Sequence, residues 1–163
     1  MTLEITNATM NDLPAIVRIE RLGFTVEEAG SEESFAERIK KIADTFLVAK
    51  LDQQVVGFVV GPAVKEQFVT DEMYEHTPEN LPTGGHQLIL SIATDPAYRG
   101  RGIGSRLLDA LTELSIKHRR EDLSLDTLTK NVPFYEANGF KQVGISASTH
   151  AGETWYNMVK PLN

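Results

Sequence analysis

The chain has 163 residues, 41% of them hydrophobic and 24% charged, which is typical of one soluble globular domain. Lys and Arg number 16 and Asp and Glu 23, so the formal net charge is −7. This charge argues against general nucleic-acid binding, which depends on neutralising phosphates. It would attract small cations such as amines, but by default a moderate negative charge simply keeps a protein soluble. The absence of cysteine excludes disulfides, thiolate zinc sites and a cysteine nucleophile.

No targeting or membrane-spanning segment is expected. The first residues, Met1 to Glu4, lack the basic and then apolar pattern of a signal peptide. No apolar run approaches the roughly 20 residues that a membrane-spanning helix needs. We therefore expect a cytoplasmic protein that forms one domain over residues 1–163, with no membrane partner.

The first third of the chain predicts a short strand, two amphipathic helices and a hairpin. Asp12 and Ser31 are suitable N-cap residues for the two helices, because a short polar side chain accepts a hydrogen bond from a free amide of the first turn. The predicted elements are a strand at 3–6, helices near 12–23 and 32–43, and paired strands at 46–51 and 55–60.

Residues 65–85 form one long acidic connection with two prolines. A loop of this length inside a compact domain is often functional. Its composition equally suits a solvated insertion on the surface. Both interpretations remain open on the sequence alone.

The second half predicts strands and helices that do not alternate strictly. Its elements are strands at 86–94, 123–127, 140–145 and 154–160, a leucine-rich helix at 105–118 and a short helix within 131–139. This order predicts a mixed α/β (α+β) fold. We expect one mixed, mostly antiparallel sheet of about six to seven strands, with helices on both faces.

The stretch from Tyr98 to Ser105 lies between a predicted strand and a predicted helix and has three glycines at alternate positions. Glycine tolerates positive φ angles and lets another molecule approach the backbone closely. The first helical turn has free N–H groups, and the helix dipole adds positive charge there. Arg99, Arg101 and Arg106 reinforce this charge. The stretch therefore predicts a site for a phosphate or pyrophosphate.

Two common phosphate-binding motifs do not match this stretch. The dinucleotide fingerprint requires a sixth-position glycine, where Gly100 leads to Ser105 and Gly102 leads to Leu107. The nucleotide-triphosphate loop requires Gly-Lys followed by Ser or Thr, which does not occur. What remains is Arg99-x-x-Gly102-x-Gly104, between a strand and a leucine-rich helix.

This pattern resembles motif A, Gln/Arg-x-x-Gly-x-Gly/Ala, of the GNAT superfamily of N-acetyltransferases, and Asn131 to Phe140 resembles a second signature of that family. The resemblance implies a GNAT fold and acetyl-CoA as co-substrate, with no metal. Within the family, the sequence Val132-Pro133-Phe134-Tyr135 is similar to the corresponding sequence of arylalkylamine N-acetyltransferases. The co-substrate contacts that the resemblance implies are Ile92, Ala93, Thr94, Arg99, Gly100, Arg101, Gly102, Ile103, Gly104, Ser105, Asn131, Phe134 and Tyr135.

The resemblance also implies that Tyr135 is the general acid that protonates the departing thiolate; otherwise it is an aromatic residue of a short amphipathic helix. The general base is less defined. In serotonin N-acetyltransferases two histidines on the central strand act as the general base. The residues at those two positions in this chain are Leu88 and Leu90, which cannot accept a proton. His86 is the base candidate, unless it is an exposed loop residue. Further candidates are Glu20, Glu27, Glu28, His76 and His150.

The function expected from these features is acetyl transfer to a primary amine, a small arylalkylamine in particular, by direct attack in a ternary complex. Two alternatives stay open. One is acetylation of a protein N-terminus or of lysine, which calls for an open groove on the acceptor side. The other is a CoA-binding regulatory module without catalysis. A monomer and a homodimer are both compatible with the sequence.

Overall fold

The computed structural model describes residues 2–162, and these residues form nine β-strands and five α-helices. The strands are β1 Leu3–Asn7, β2 Phe46–Leu51, β3 Gln54–Val60, β4 Ala63–Val64, β5 His86–Ile89, β6 Ser91–Thr94, β7 Asp122–Thr127, β8 Lys141–Ile145 and β9 Tyr156–Pro161. The helices are α1 Leu13–Gly23, α2 Glu32–Ile42, α3 Glu72–Glu75, α4 Ile103–Lys117 and α5 Val132–Ala137. None of the helices within residues 2–162 has the length and apolar character needed to cross a membrane.

The strands form two sheets, with the orders β1-β2-β3-β6 and β4-β5-β7-β9-β8. The pairings are antiparallel except for β5 with β7. The mixed α/β class is therefore confirmed. The expected single sheet of six to seven strands is instead a pair of sheets.

The division has a local cause at two neighbouring points of the chain. Gly61 and Pro62 carry the backbone from β3 in one sheet to β4 in the other, and a Cβ atom on Gly61 would lie 1.9 Å from the carbonyl oxygen of Leu88. The expected strand 86–94 is interrupted next to this point, at Leu90, whose amide donates to the carbonyl of Val60. Both chain segments therefore change sheet together, and the sheets part there.

Helices cover both faces of the β1–β2–β3–β6 sheet. On one face, α1 and α2 bury Ile16, Ile19 and Phe35 against alternate residues of β2 and β3. On the other face, α4 packs its leucines into a core that includes Tyr135 and Phe140. The 3.6-residue spacing of these apolar positions places each helix with one side towards the sheet.

Candidate active site

A cavity of about 860 Å³ lies where the two sheets part. The last pair between β5 and β7 joins Ile89 to Leu125, and beyond it the two sheets separate. Residues 89–94 line one side of the cavity, and residues 125–128 line the other. The cavity therefore reaches the ends of both sheets.

One edge of β6 is free to bind a ligand. Gly57 to Val60 of β3 pair with its other edge, and no second strand within residues 2–162 pairs with it. Ile92, Ala93 and Thr94 all line the cavity. An extended ligand with amide groups matches the unpaired N–H and C=O groups of such an edge.

The glycine-rich loop forms one end of the cavity. Gly102 is the N-cap of α4 with φ of +75°, and the expected helix start at Ser105 moves to Ile103. A Cβ atom on Gly104 would lie 3.1 Å from Cζ of Phe134, so this glycine allows the loop to pack against the ring. The free amides of the first turn of this 15-residue helix therefore lie at the cavity, as a diphosphate site requires.

Tyr135 lies between the loop and the core. Its ring is buried and contacts the rings of Phe134 and Phe140 edge-on. Its hydroxyl forms no hydrogen bond within residues 2–162, although the residue lines the cavity. Burial raises the pKa of this phenol above its ordinary value. The hydroxyl is therefore protonated at neutral pH and can donate a proton to a bound group.

Asp126, near the end of β7, is a carboxylate on the opposite side of the cavity. Burial raises its pKa to about 6, against a smaller opposing effect of the hydrogen bond from Ser146 Oγ to Oδ2 (2.7 Å). Its Oδ1 atom is buried and has no partner within the described chain. Asp126 is thus able to accept a hydrogen bond and a proton from a ligand.

Glu20 of α1 is a second carboxylate on the cavity wall, and it is 3% exposed. It accepts hydrogen bonds from Ser91 Oγ at 2.6 Å and from the backbone amide of Gly30 at 2.8 Å. Burial raises its pKa despite these two bonds. Glu20 therefore fixes the connection after α1 to the start of β6.

An aromatic cluster forms the wall next to Asp126. Tyr74 stacks on His150, and His150 packs at an angle on Trp155, with 5.4 and 5.8 Å between the respective ring centroids. The indole N–H of Trp155 donates to the carbonyl of His150 at 2.9 Å. All three residues line the cavity.

Segment 65–85 is packed against the body of the protein. Arg38 Nη2 donates to the carbonyl of Tyr74, and Lys41 Nζ donates to that of Thr77. Asp71 accepts hydrogen bonds from Ser148 and Thr149 on the connection between β8 and β9. The segment therefore contributes to the cavity wall, and of the two interpretations of its sequence the structure agrees with a place at the candidate site.

The structure brings together most residues of the sequence-based site. All the co-substrate residues predicted from the sequence line the cavity except Arg101, whose guanidinium lies 5.1 Å from the ring centroid of Tyr98. Leu90 lines the cavity and Leu88 does not, although both belong to the same apolar cluster with Val64 and Met73. Among the further base candidates, Glu20, Glu28 and His150 line the cavity, and Glu27 and His76 do not.

His86 is not at the cavity. It begins β5, four residues before Leu90, or about 13 Å along an extended strand. Its Nδ1 is 2.8 Å from Asp122 Oδ1, and its Nε2 is 3.4 Å from Glu121 Oε2. His86 therefore does not line the cavity, because β5 carries it away from the point where the sheets part, and its role as the base stays a prediction.

Sequence reasoning missed Asp126, Arg38 and Trp155, all of which line the cavity. A signal for Asp126 was present. Asp122, Ser124 and Asp126 alternate with Leu123 and Leu125, which marks one polar face on an otherwise buried strand. For the described residues 2–162, no group of three or more His, Asp or Glu side chains is arranged to hold a metal ion.

Comparisons with known proteins agree with this geometry. The acetyltransferase (GNAT) domain family matches residues 43–142. An N-alpha-acetyltransferase of Saccharolobus solfataricus is 31% identical over 163 residues, which cover 97% of this chain and 92% of that protein.

Two solved structures share the fold. Ard1 from Thermoplasma volcanium superposes with a TM-score of 0.80 at 21% identity, over 100% of this chain and 99% of that chain. Arabidopsis thaliana Naa50 in complex with the bisubstrate analogue CoA-Ac-MVNAL has a TM-score of 0.73 at 17% identity, over 98% and 99% of the two chains. The chain belongs to the acetyltransferase (GNAT) domain family and is an N-acetyltransferase with acetyl-CoA as its co-substrate.

Proposed function

We propose that residues 1–163 form one catalytic unit that acetylates the α-amino group of a polypeptide N-terminus. The relative from Saccharolobus solfataricus, which is named N-alpha-acetyltransferase, supports this acceptor class. The sequence from Val132 to Tyr135 suggested an arylalkylamine acceptor, but none of the relatives reported above is named for that acceptor. The proposal therefore takes the acceptor class from the relatives and its chemistry from the cavity.

The observation that carries the proposal is the place of Asp126 on the cavity wall, where its Oδ1 atom has no hydrogen-bond partner in the described chain and burial raises its pKa to about 6. Moving a proton to this carboxylate from an α-ammonium, with a pKa near 8, is uphill by roughly 3 kcal/mol. From an alkylammonium with a pKa near 10.4 the transfer is uphill by about 6 kcal/mol. An α-ammonium therefore loses its proton more easily than lysine or an alkylamine, whichever base accepts it, and Asp126 can serve as that base.

Each residue has one role in this proposal. The amides of Gly102 to Ser105 hold the diphosphate of acetyl-CoA, and the free edge of β6 holds its amide-bearing arm. Asp126 takes a proton from the acceptor ammonium. The neutral amine forms a bond to the thioester carbonyl carbon, the carbon–sulfur bond breaks, and the departing thiolate receives the hydroxyl proton of Tyr135. The second proton on the attacking nitrogen then leaves and restores the neutral Tyr135 hydroxyl, which yields the amide.

A small amine is the second candidate acceptor, because segment 65–85 covers the part of the cavity next to Asp126 and Tyr74, which is called the acceptor end in this proposal. Tyr74 of that segment stacks on His150, and the Nε2 atom of His150 lies 3.2 Å from the carbonyl oxygen of Glu28. Three segments of the chain thus meet over this part of the cavity. A wall of this kind suits a small molecule.

The test is an acceptor panel at saturating acetyl-CoA, measured by CoA release. The panel pairs a short peptide with a free N-terminus against the same peptide with a blocked N-terminus and one internal lysine, and adds phenethylamine. We expect kcat/KM to be at least about tenfold higher for the free peptide than for either alternative. Faster turnover of phenethylamine would transfer the assignment to small amines, and acetyl-CoA binding without any turnover would leave only the binding module.

A further inference from the structure

Arg38 of α2 is a buried cation on the wall of the acceptor end. It is 1% exposed and lies with its guanidinium carbon 4.7 Å from the ring centroid of Phe35. Nη2 donates to the carbonyl of Tyr74 at 3.1 Å, whereas Nε is buried and has no hydrogen-bond partner in the described chain. A guanidinium has five N–H donors, so Arg38 has unused donor capacity beside the cavity.

The charge of Arg38 is not neutralised by a direct ion pair. Within residues 2–162 it forms no salt bridge, and both oxygens of the nearby Glu20 already accept hydrogen bonds, from Ser91 and Gly30. Glu20 therefore acts on Arg38 only through space. A buried cation without a contacting anion is unfavourable, and a ligand carboxylate can supply that anion with two parallel hydrogen bonds.

Asp126 is the counterpart of opposite charge. Its Oδ1 atom is also buried without a partner, and it lines the same cavity. A ligand with one ammonium and one carboxylate satisfies both groups at once and adds no net charge to the site. A simple alkylamine can form a hydrogen bond with Asp126 alone, and Arg38 then stays without a contacting anion.

Resting on the function proposed above, we propose that Arg38 selects an acceptor whose first residue has a carboxylate side chain, Asp or Glu. The α-ammonium then contacts Asp126, and the side-chain carboxylate contacts Arg38. Lys130 is another cation that lines the cavity, but its side chain is exposed, and water screens its charge. Discrimination between a carboxylate and an amide of the same shape is therefore assigned to Arg38.

The experiment compares peptides that differ only in the first residue, Asp against Asn and Glu against Gln. Isothermal titration of each peptide into the CoA-bound protein measures affinity without turnover. We expect Asp and Glu peptides to bind at least about tenfold more tightly than their amide partners. Equal affinities overturn the inference. Failure of every peptide in the turnover panel overturns the proposed function, but the ratio of affinities can still be measured because titration does not depend on turnover.

Variants assign the preference to its residue. Arg38→Gln should reduce the Asp-to-Asn affinity ratio to near one, and Arg38→Lys should restore part of it. The matched control is Lys41→Met, on the same helix, because Lys41 also donates to a carbonyl of segment 65–85 but does not line the cavity. A ratio that persists in folded Arg38→Gln overturns the inference, and if that variant does not fold, the wild-type ratio still decides.

Free aspartate separates the two sources of this ligand chemistry, since it has the same ammonium and side-chain carboxylate without a following peptide. Weaker binding of free aspartate than of the Asp peptide supports a polypeptide N-terminus. Tighter binding overturns it in favour of a free acidic amino acid.

Discussion

The ring of Tyr74 lies nearly parallel to the ring of His150, with an interplanar angle of 16° and 5.4 Å between centroids. The two residues are 76 positions apart in the chain, and their contact joins segment 65–85 to the connection between β8 and β9. The wall of the acceptor end therefore depends on packing between two segments that are irregular for most of their length.

Removing this stack should weaken acceptor binding. We expect Tyr74→Ala to raise the KM for the peptide acceptor by about tenfold, because the wall loses its aromatic face. The KM for acetyl-CoA should change little, since the glycine-rich loop lies at the other end of the cavity. Tyr74→Phe retains the ring and serves as the control; an equal loss in Tyr74→Phe would contradict the role of the stack.

The pH dependence of turnover should report Asp126. The carboxylate must be ionised to accept a proton, so kcat/KM for the peptide should rise with pH through about 6. Asp126→Asn should remove this limb and lower kcat/KM by about 10²-fold. His86→Gln is the control and should show the same rise in kcat/KM with pH, because His86 does not line the cavity. If the pH of this rise shifts in His86→Gln and not in Asp126→Asn, His86 is the base.

Asp126 should also influence stability, with a definite sign. Its folded pKa of about 6 is above the ordinary value of 3.8, so ionisation destabilises the fold, and the cost develops as pH rises from about 4 through 6. We expect Asp126→Asn to raise Tm relative to wild type by more at pH 8 than at pH 5. A larger gain at pH 5 would contradict the raised pKa, and thermal unfolding followed by circular dichroism measures the difference.

Loss of the Tyr135 hydroxyl should affect catalysis and not co-substrate binding. Tyr135→Phe should lower kcat by on the order of 10²-fold, which is typical of a missing general acid, with the Kd for acetyl-CoA nearly unchanged. The matched control is Tyr156→Phe, because Tyr156 of β9 does not line the cavity. Unaltered turnover of Tyr135→Phe across the pH range would remove it as the acid.

A bulky residue at Gly102 should weaken acetyl-CoA binding. Its φ of +75° is unfavourable for a β-branched side chain, so Gly102→Val distorts the N-cap that presents the helix amides. We expect the Kd for acetyl-CoA to increase at least about tenfold. Gly84→Val is the control, since Gly84 has a similar φ of +72° with open space around it and lies outside the cavity; equal losses in both variants would indicate general strain.

Local patterns in the sequence were sufficient for most of the elements and for the place of the glycine-rich loop before α4. Apolar spacing predicted α1, α2 and α4, and the short polar turn predicted the hairpin of β2 and β3. The glycine-rich loop was predictable because its glycines and the free amides of the helix start belong to consecutive residues. The strand 86–94 was predicted as continuous because the interruption at Leu90 depends on the close approach of Gly61, which lies far away in the chain.

By itself the sequence determined the mixed fold class, the place of the glycine-rich loop and the family resemblance, because each depends on residues that are adjacent or regularly spaced. Only the tertiary structure decided the acceptor end. Asp126, Arg38, Tyr74 and His150 come from four separate segments. The stack of Tyr74 on His150, the burial of Arg38 and the raised pKa of Asp126 arise only in the folded chain, where the two sheets part, and no local pattern of residue types encodes that arrangement.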